Sequence, residues 1–211
     1  GLKAYQKGKG KPPQTEQTVK DRIFHSLVKE SDDYLRYFEG NDVKRYSYNW
    51  SNSYLKYGSF LAEPRTINLF NRKRILVRQI PSKPPYCIIS TFVEDEYLND
   101  INSMNIIDFE IDPLVILGLI NSKLMSFWFL IRFAKLQRSL FPQFKINELE
   151  KFPIPKKIEK NIEIKLISLV NKKIINSSDN SLDNQIDQIV YKLYQLKNNE
   201  IELIENHLSS F

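Results

Sequence analysis

One cysteine, two histidines and six glycines are all that this 211-residue chain holds of three residue types on which much enzyme chemistry depends. A single cysteine, Cys87, excludes an intrachain disulfide. It sits in Tyr86-Cys87-Ile88-Ile89, which reads as a buried strand, so it is expected to be a small core residue rather than a nucleophile. A chain without disulfides fits a reducing cytoplasm. His25 and His207 have no Ser, Cys or His neighbours that would suggest a triad or a zinc site, and no metal ligands are expected. The glycines form no G-x-G cluster behind a strand, and Gly8-Lys9-Gly10 lies in a polar leader where no cofactor loop is expected. Clustered carboxylates with a nearby Lys, the requirement of a metal-dependent nuclease, are also missing. Glu163-Ile164-Lys165 has the local spacing, but it belongs to a solvated helix face.

No apolar stretch opens the chain: residues 1–22 are polar and Lys-rich, unlike a signal peptide. The start, Gly1-Leu2-Lys3, has no Met, and the chain is expected to be part of a longer protein. Leu114 to Phe133 is apolar and about as long as a bilayer span. Asn121, Ser122 and Lys123 stand at its middle, and a central Lys costs roughly 2.5–3.5 kcal/mol on insertion scales. A buried helix, with no membrane partner, is the expectation.

What the chain does have is positive charge, aromatic residues and a strong apolar fraction. The formal net charge is +6, 12% of residues are aromatic and 42% are hydrophobic, so a core can form and a polyanionic partner is favoured. The charge is uneven. Residues 1–157 hold 25 Lys and Arg against 17 Asp and Glu, whereas residues 158–211 hold 6 against 8. Within the first part, residues 64–93 carry six bases and no acid, 94–122 seven acids and no base, and 123–147 five bases and no acid. The two basic blocks either fold onto one positive face or are unrelated solvated surfaces.

Periodicity predicts strands at 75–80 and 86–92, separated by Pro81-Ser82-Lys83-Pro84-Pro85, and a third at 103–109. Asp112 is the expected N-cap, with Pro113 in the first turn, of an apolar helix over 114–133. Phe141-Pro142 stops regular structure. Apolar stripes at Ile162, Leu166, Leu169, Val170 and Ile174, and at Ile186, Ile189, Val190, Leu193 and Leu196, predict an αα-hairpin over 159–176 and 181–197, followed by a short helix at 199–208. The expected fold is α+β: a small mixed or antiparallel sheet with packed helices, then a C-terminal helical hairpin.

Several segments, in order along almost the whole chain, resemble the TaqI-like C-terminal specificity domain of type IIG restriction-modification enzymes. Gly8-Lys9-Gly10-Lys11-Pro12-Pro13 is similar to the family's linker behind the methyltransferase domain. Gly40-Asn41-Asp42-Val43-Lys44-Arg45-Tyr46 is similar to its Gly-x-Asp-(Ile/Val)-x-Arg-Tyr motif, with Asn41 where Arg is commoner. Tyr57 to Arg65 and Lys73-Arg74-Ile75-Leu76-Val77-Arg78-Gln79-Ile80 follow as in relatives. Leu117 to Leu124 resembles the Leu-Leu-Asn-Ser-Lys-Leu helix, and Phe141 to Ile146 with Leu149 to Pro155 the closing signature. Ile186 to Tyr194 resembles the helical ending.

The resemblance implies a double-stranded DNA recognition domain over 1–157, with 1–22 as the linker from a methyltransferase domain, and a helical tail over 158–211. It implies an adenine-specific parent enzyme that uses S-adenosylmethionine and also cleaves DNA in some members. This chain itself is expected to hold no catalytic residue and no cofactor. Lys83-Pro84-Pro85-Tyr86 mimics the family's catalytic loop, but a Lys at its first position has three donors and no acceptor and cannot pair with an adenine edge as an amide can. Affinity for DNA comes largely from cations on phosphates, and specificity from Arg, Lys, Asn or Gln at base edges. On those grounds Lys44, Arg45, Arg72, Lys73, Arg78, Lys135, Arg138, Gln143 and Lys145 are the expected DNA contacts, with Arg138 the first choice for a base reader. Motifs shared by a family whose members read different sites mark its scaffold, so readers are expected outside them. Three alternatives remain open: a type I specificity-subunit module, a stand-alone nuclease, and a protein-interaction domain using the helical hairpin.

Overall fold

The computed structural model describes residues 1–133 and 143–211. The chain begins with a packed leader and the short helix α1 (Glu16–Asp21), capped by Thr15, whose side chain accepts from Thr18 N. Short strands follow: β1 (His25–Ser26), β2 (Tyr34–Phe38), β3 (Val43–Lys44), β4 (Ser47–Tyr48) and β5 (Tyr54–Lys56). After them come β6 (Arg74–Arg78), β7 (Ser90–Val93), β8 (Leu98–Asn99) and β9 (Ser103–Ile106). One sheet has the order β1-β5-β2-β8, with β2 and β8 parallel and the other pairs antiparallel. A second, antiparallel throughout, has the order β7-β6-β9, and β3 and β4 form a hairpin of their own. The fold is α+β, as the periodicity predicts.

β6 is the structural axis because it is buried on both faces. Ile75 and Val77 join the large helical core, while Leu76 points the other way, into a cluster with Phe38, Val43, Val93 and Tyr97. This is the two-residue alternation of a strand applied to a sheet covered on both sides. The expected strand at 86–92 begins only at Ser90. Upstream, Ile89 O still accepts from Arg78 N at 2.9 Å, but the Cys87 N–H is taken by Ser126 Oγ at 2.9 Å, which ends the ladder. The third strand stops at Ile106, and Asp108, with φ of 55°, turns the chain away.

The expected single helix over 114–133 is two: α2 (Pro113–Ile120), started by Asp112 accepting from Leu114 N at 2.8 Å, and α3 (Lys123–Phe133). They are bent by 61° at Asn121-Ser122. The break has a local cause. Asn121 is fully buried and its amide is tied to Ser90, accepting from N at 3.1 Å and Oγ at 2.9 Å and donating to O at 3.0 Å. Ser122 Oγ donates to Leu119 O at 2.7 Å and accepts from Met125 N at 3.3 Å, closing one helix and starting the next. Among the described residues no single helix is long and apolar enough to cross a membrane.

A short turn of helix, α4 (Ile146–Leu149), leads to α5 (Lys160–Ile175), α6 (Asn180–Leu193) and α7 (Asn198–Ser209). The two predicted stripes bury Ile162, Leu166, Leu169 and Val170, and Ile186, Ile189 and Val190, in the same core as Ile75 and Val77. Gly118 makes the α2–α5 contact possible, since a Cβ there would stand 2.8 Å from Val170 Cγ2. The leader is also packed. Leu2 and Ala4 are buried beside Leu55, Leu61 and Leu98, and Gln14 Nε2 donates to Ala4 O and Phe60 O at 2.8 Å each.

Candidate nucleic-acid interface

The two ends of β6 have opposite electrostatic surroundings, and sheet register is the reason. β6 pairs with β7 so that Arg74 faces Val93, which sets Lys73 opposite Glu94; Lys73 Nζ lies 2.6 Å from Glu94 Oε1. β6 pairs with β9 so that Ile75 faces Ile106, which brings Asp108 to the same end, where it forms an ion pair with Arg72. The basic block and the acidic block that follows it are therefore interleaved, not held on separate faces. Two bases expected to face DNA are neutralised by neighbouring carboxylates. Both pairs are exposed, so each contributes little stability and retains the option of exchanging partners.

At the other end, Arg78 has no ion pair among the described residues. Its guanidinium borders a cleft of about 220 Å³ lined also by Asn41, Asp100 and Asn102. Partial burial lowers its pKa, and the Asp100 carboxylate works in the opposite direction. The next residue holds the second basic block in place: Gln79 O accepts from Phe144 N at 2.6 Å. Phe144 is buried against Phe129 and Phe152, with ring centroids 4.9 and 5.4 Å away. Anchoring Phe144 inward leaves Gln143 and Lys145 exposed on either side of it. The bond sets Gln143 and Lys145, the chain neighbours of Phe144, beside the end of β6 that Arg78 closes. Asn41 and Asn102 were not among the expected contacts; both are side chains able to pair with base edges. Lys44 is exposed on β3. Lys135 and Arg138 lie outside the described residues, in the segment that joins α3 to Gln143.

Arg45 requires a correction, because its guanidinium is committed to the interior. Nε and Nη2 donate to Asn121 O at 3.1 and 2.9 Å, Nη1 lies 2.7 Å from Asp183 Oδ1, and the group stacks on the Tyr86 ring at 3.7 Å. A side chain held by a carbonyl, a buried carboxylate and an aromatic face is fixed in the interior rather than presented to a phosphate. Arg45 instead locks the hairpin β3–β4 to α6. Beside it Lys123 N donates to Asp187 Oδ1 at 2.9 Å and Tyr86 OH donates to Asp187 Oδ2 at 2.8 Å. Burial pushes the Asp187 carboxyl up to about 6, these donors partly opposing it. Arg74 is a further buried cation, donating to the carbonyls of Phe70 at 2.8 Å and of Tyr97, and desolvation lowers it to about 10.

The segments that imitate catalytic motifs have structural occupations. Tyr86 of the Pro-Pro-Tyr sequence is held by Asp187 and covered by Arg45. Gly10, with φ of 86°, turns the leader so tightly that a Cβ would meet Phe60 O at 2.1 Å; the turn packs on backbone and offers no cradle for a cofactor. Burial raises the Cys87 thiol to about 12, far from a thiolate. His25 accepts or donates at Tyr5 OH, 2.8 Å away, and burial lowers it to about 4. Among the described residues no three His, Cys, Asp or Glu side chains gather as a metal site.

The sequence profile of the TaqI-like C-terminal specificity domain matches residues 35–154. The chain belongs to the TaqI-like C-terminal specificity domain family. The matched span runs from β2 through β6 and α3 to the Phe152-Pro153-Ile154 crossing, so it contains both ends of β6 and the Phe144 anchor. A protein of Methanocaldococcus jannaschii named as a type II restriction enzyme and methyltransferase is 29% identical over 180 residues, covering 79% of this chain. The TaqI-like chain spans 15% of the length of that relative.

Proposed function

We propose that this TaqI-like domain recognises double-stranded DNA for an adenine-specific methyltransferase of the restriction-modification kind, and that the duplex lies against the edge formed by Arg78, Gln143 and Lys145. The observation that carries the reading is the Phe144 N to Gln79 O bond of 2.6 Å, which holds Gln143-Phe144-Lys145 beside the β6 end whose cation has no ion pair among the described residues. Lys145, Lys44 and Lys135 contact phosphates; Arg78, Arg138, Asn41, Asn102 and Gln143 are the groups able to reach base edges. Arg72 and Lys73 are secondary, since each must first leave a carboxylate.

The chemistry belongs elsewhere in the polypeptide. This chain spans 15% of the relative named as a restriction enzyme and methyltransferase, which leaves room for catalytic domains, and S-adenosylmethionine would bind in those. This chain binds no cofactor and performs no catalysis. It supplies the second side of a grip on the duplex while a base is turned out for reaction. The test pairs two assays. Incubated with labelled S-adenosylmethionine and mixed-sequence DNA, the chain alone transfers no methyl group. In the polypeptide that carries the catalytic domain, Arg138→Ala and Arg78→Ala weaken binding to the preferred site by about 1–3 kcal/mol each and relax site preference. Methyl transfer by the pure chain, or unchanged site preference in both variants, overturns the reading.

A further inference from the structure

A cavity of about 350 Å³ opens on the β1-β5-β2-β8 sheet, on the Arg72 side of β6 and away from Arg78. Register builds its floor. Arg36 on β2 faces Tyr54 on β5 directly, and the parallel pairing of Tyr37 with Leu98 sets Tyr97 beside Arg36 on the other flank. Tyr54, Arg36 and Tyr97 therefore form one row across three strands, with Tyr34 two residues along β2 on the same face. The Arg36 guanidinium lies 4.2 Å from the Tyr97 ring centroid and donates to Tyr97 OH at 3.2 Å. It has no carboxylate in ion-pair range among the described residues. Trp50 braces the row edge-on, 5.1 Å from Tyr54 and 5.8 Å from Tyr97. Phe70 forms a wall, with Asn71, Glu96 and Lys29 at the rim.

We propose that this pocket is a nucleobase site, separate from the duplex-binding edge. A flat guanidinium backed by a tyrosine, beside a second phenol, is a stacking platform for a planar π-system. The same guanidinium repels a cationic guest, which distinguishes the row from an aromatic cage for ammonium groups. Asn71 and Glu96 offer acceptors for an exocyclic amine, favouring adenine over thymine, and Lys29 can meet a phosphate once it leaves Asp32, 3.1 Å away on the open surface. The volume falls within the range of small-ligand pockets, about 300–1,000 Å³. The base arrives either on a free nucleotide or as an unpaired base of a strand.

Calorimetric titration of the 211-residue chain with AMP, TMP, a paired duplex, and the same duplex bearing one bulged adenosine tests this. The expected results are saturable AMP binding stronger than TMP binding, or a preference for the bulged over the paired duplex. AMP binding without that preference assigns a free nucleotide; the preference without AMP binding assigns an unpaired base in a strand. Arg36→Ala and Tyr54→Ser should each reduce the observed binding about tenfold or more. They should leave paired-duplex binding unchanged, so this inference and the duplex-edge reading fail separately. Asn71→Ala, on the exposed rim, should weaken AMP and erase the preference over TMP even if the two sheet variants misfold by circular dichroism. No AMP binding together with no bulge preference, or binding indifferent to all three substitutions, overturns the proposal, as does preferential binding of choline.

Discussion

At one end of β6, Arg72 and Lys73 meet Asp108 and Glu94; at the other, Arg78 meets no ion-pair partner among the described residues, and Phe144, between Gln143 and Lys145, is bonded to the next residue, Gln79. Both ends are basic in the sequence, and only pairing register separates them. A run of cations free of acids along the chain is not a positive surface when the neighbouring strands bring acids to it. The same contrast divides Arg45 from Arg78. Each closes a short strand segment, but Arg45 is 17% exposed at its side chain and serves as a bolt between β3–β4 and α6.

The largest effect expected from breaking this comparison is on Arg45. Arg45→Met leaves the Asn121 carbonyl without its donors and Asp183 with one cation instead of two, since Lys173 Nζ stays 2.8 Å from Oδ2, and should destabilise the fold by about 3 kcal/mol in urea unfolding. Arg78→Met should cost less than about 1 kcal/mol, as a half-buried side chain with no ion pair among the described residues. Equal losses would show that Arg45 is no more structural than Arg78.

A second effect, of intermediate size, belongs to Asp187 in the same interior network. Its folded pKa, about 6, lies above the ordinary 3.8, so the folded state binds the extra proton between those values. Stability then rises as pH falls from about 6 towards 4 and declines as pH rises through that window, by on the order of 2 kcal/mol. Asp187→Asn should remove that slope, since an amide can still accept from Lys123 N. A slope that persists in the variant would assign the titration to another group. The smallest effect is predicted for Lys73→Ala: less than about a twofold change in DNA affinity, because the cation it removes is already paired with Glu94.

Much of the scaffold was legible because it rests on local signals. Asp112-Pro113 marks a helix start, the Ile162 and Ile186 stripes mark the hairpin, and Ile75-Leu76-Val77 marks a strand. The β1-β5-β2-β8 sheet was not, since strands of two to five residues are too short to show alternation. The bend at Asn121 depends on Ser90, 31 positions earlier. The candidate site was legible only in its ingredients. Lys73 and Glu94 are 21 positions apart and meet through register, and the Phe144–Gln79 bond crosses 65. Motif residues Arg45, Asn121 and Lys123 meet one another and the tail, in keeping with motifs that preserve scaffold.

The most direct measurement is the salt dependence of duplex binding, by fluorescence anisotropy, for two double variants of the polypeptide carrying this domain. Removing a phosphate contact lowers the magnitude of the slope of log affinity against log salt by about one unit. Lys44→Ala with Lys145→Ala should reduce it by about two units for every sequence tested, whereas Arg72→Ala with Lys73→Ala should change it by less than about half a unit. The reverse order, with the Arg72–Lys73 pair carrying the slope, would contradict the account and place the DNA at the other end of β6.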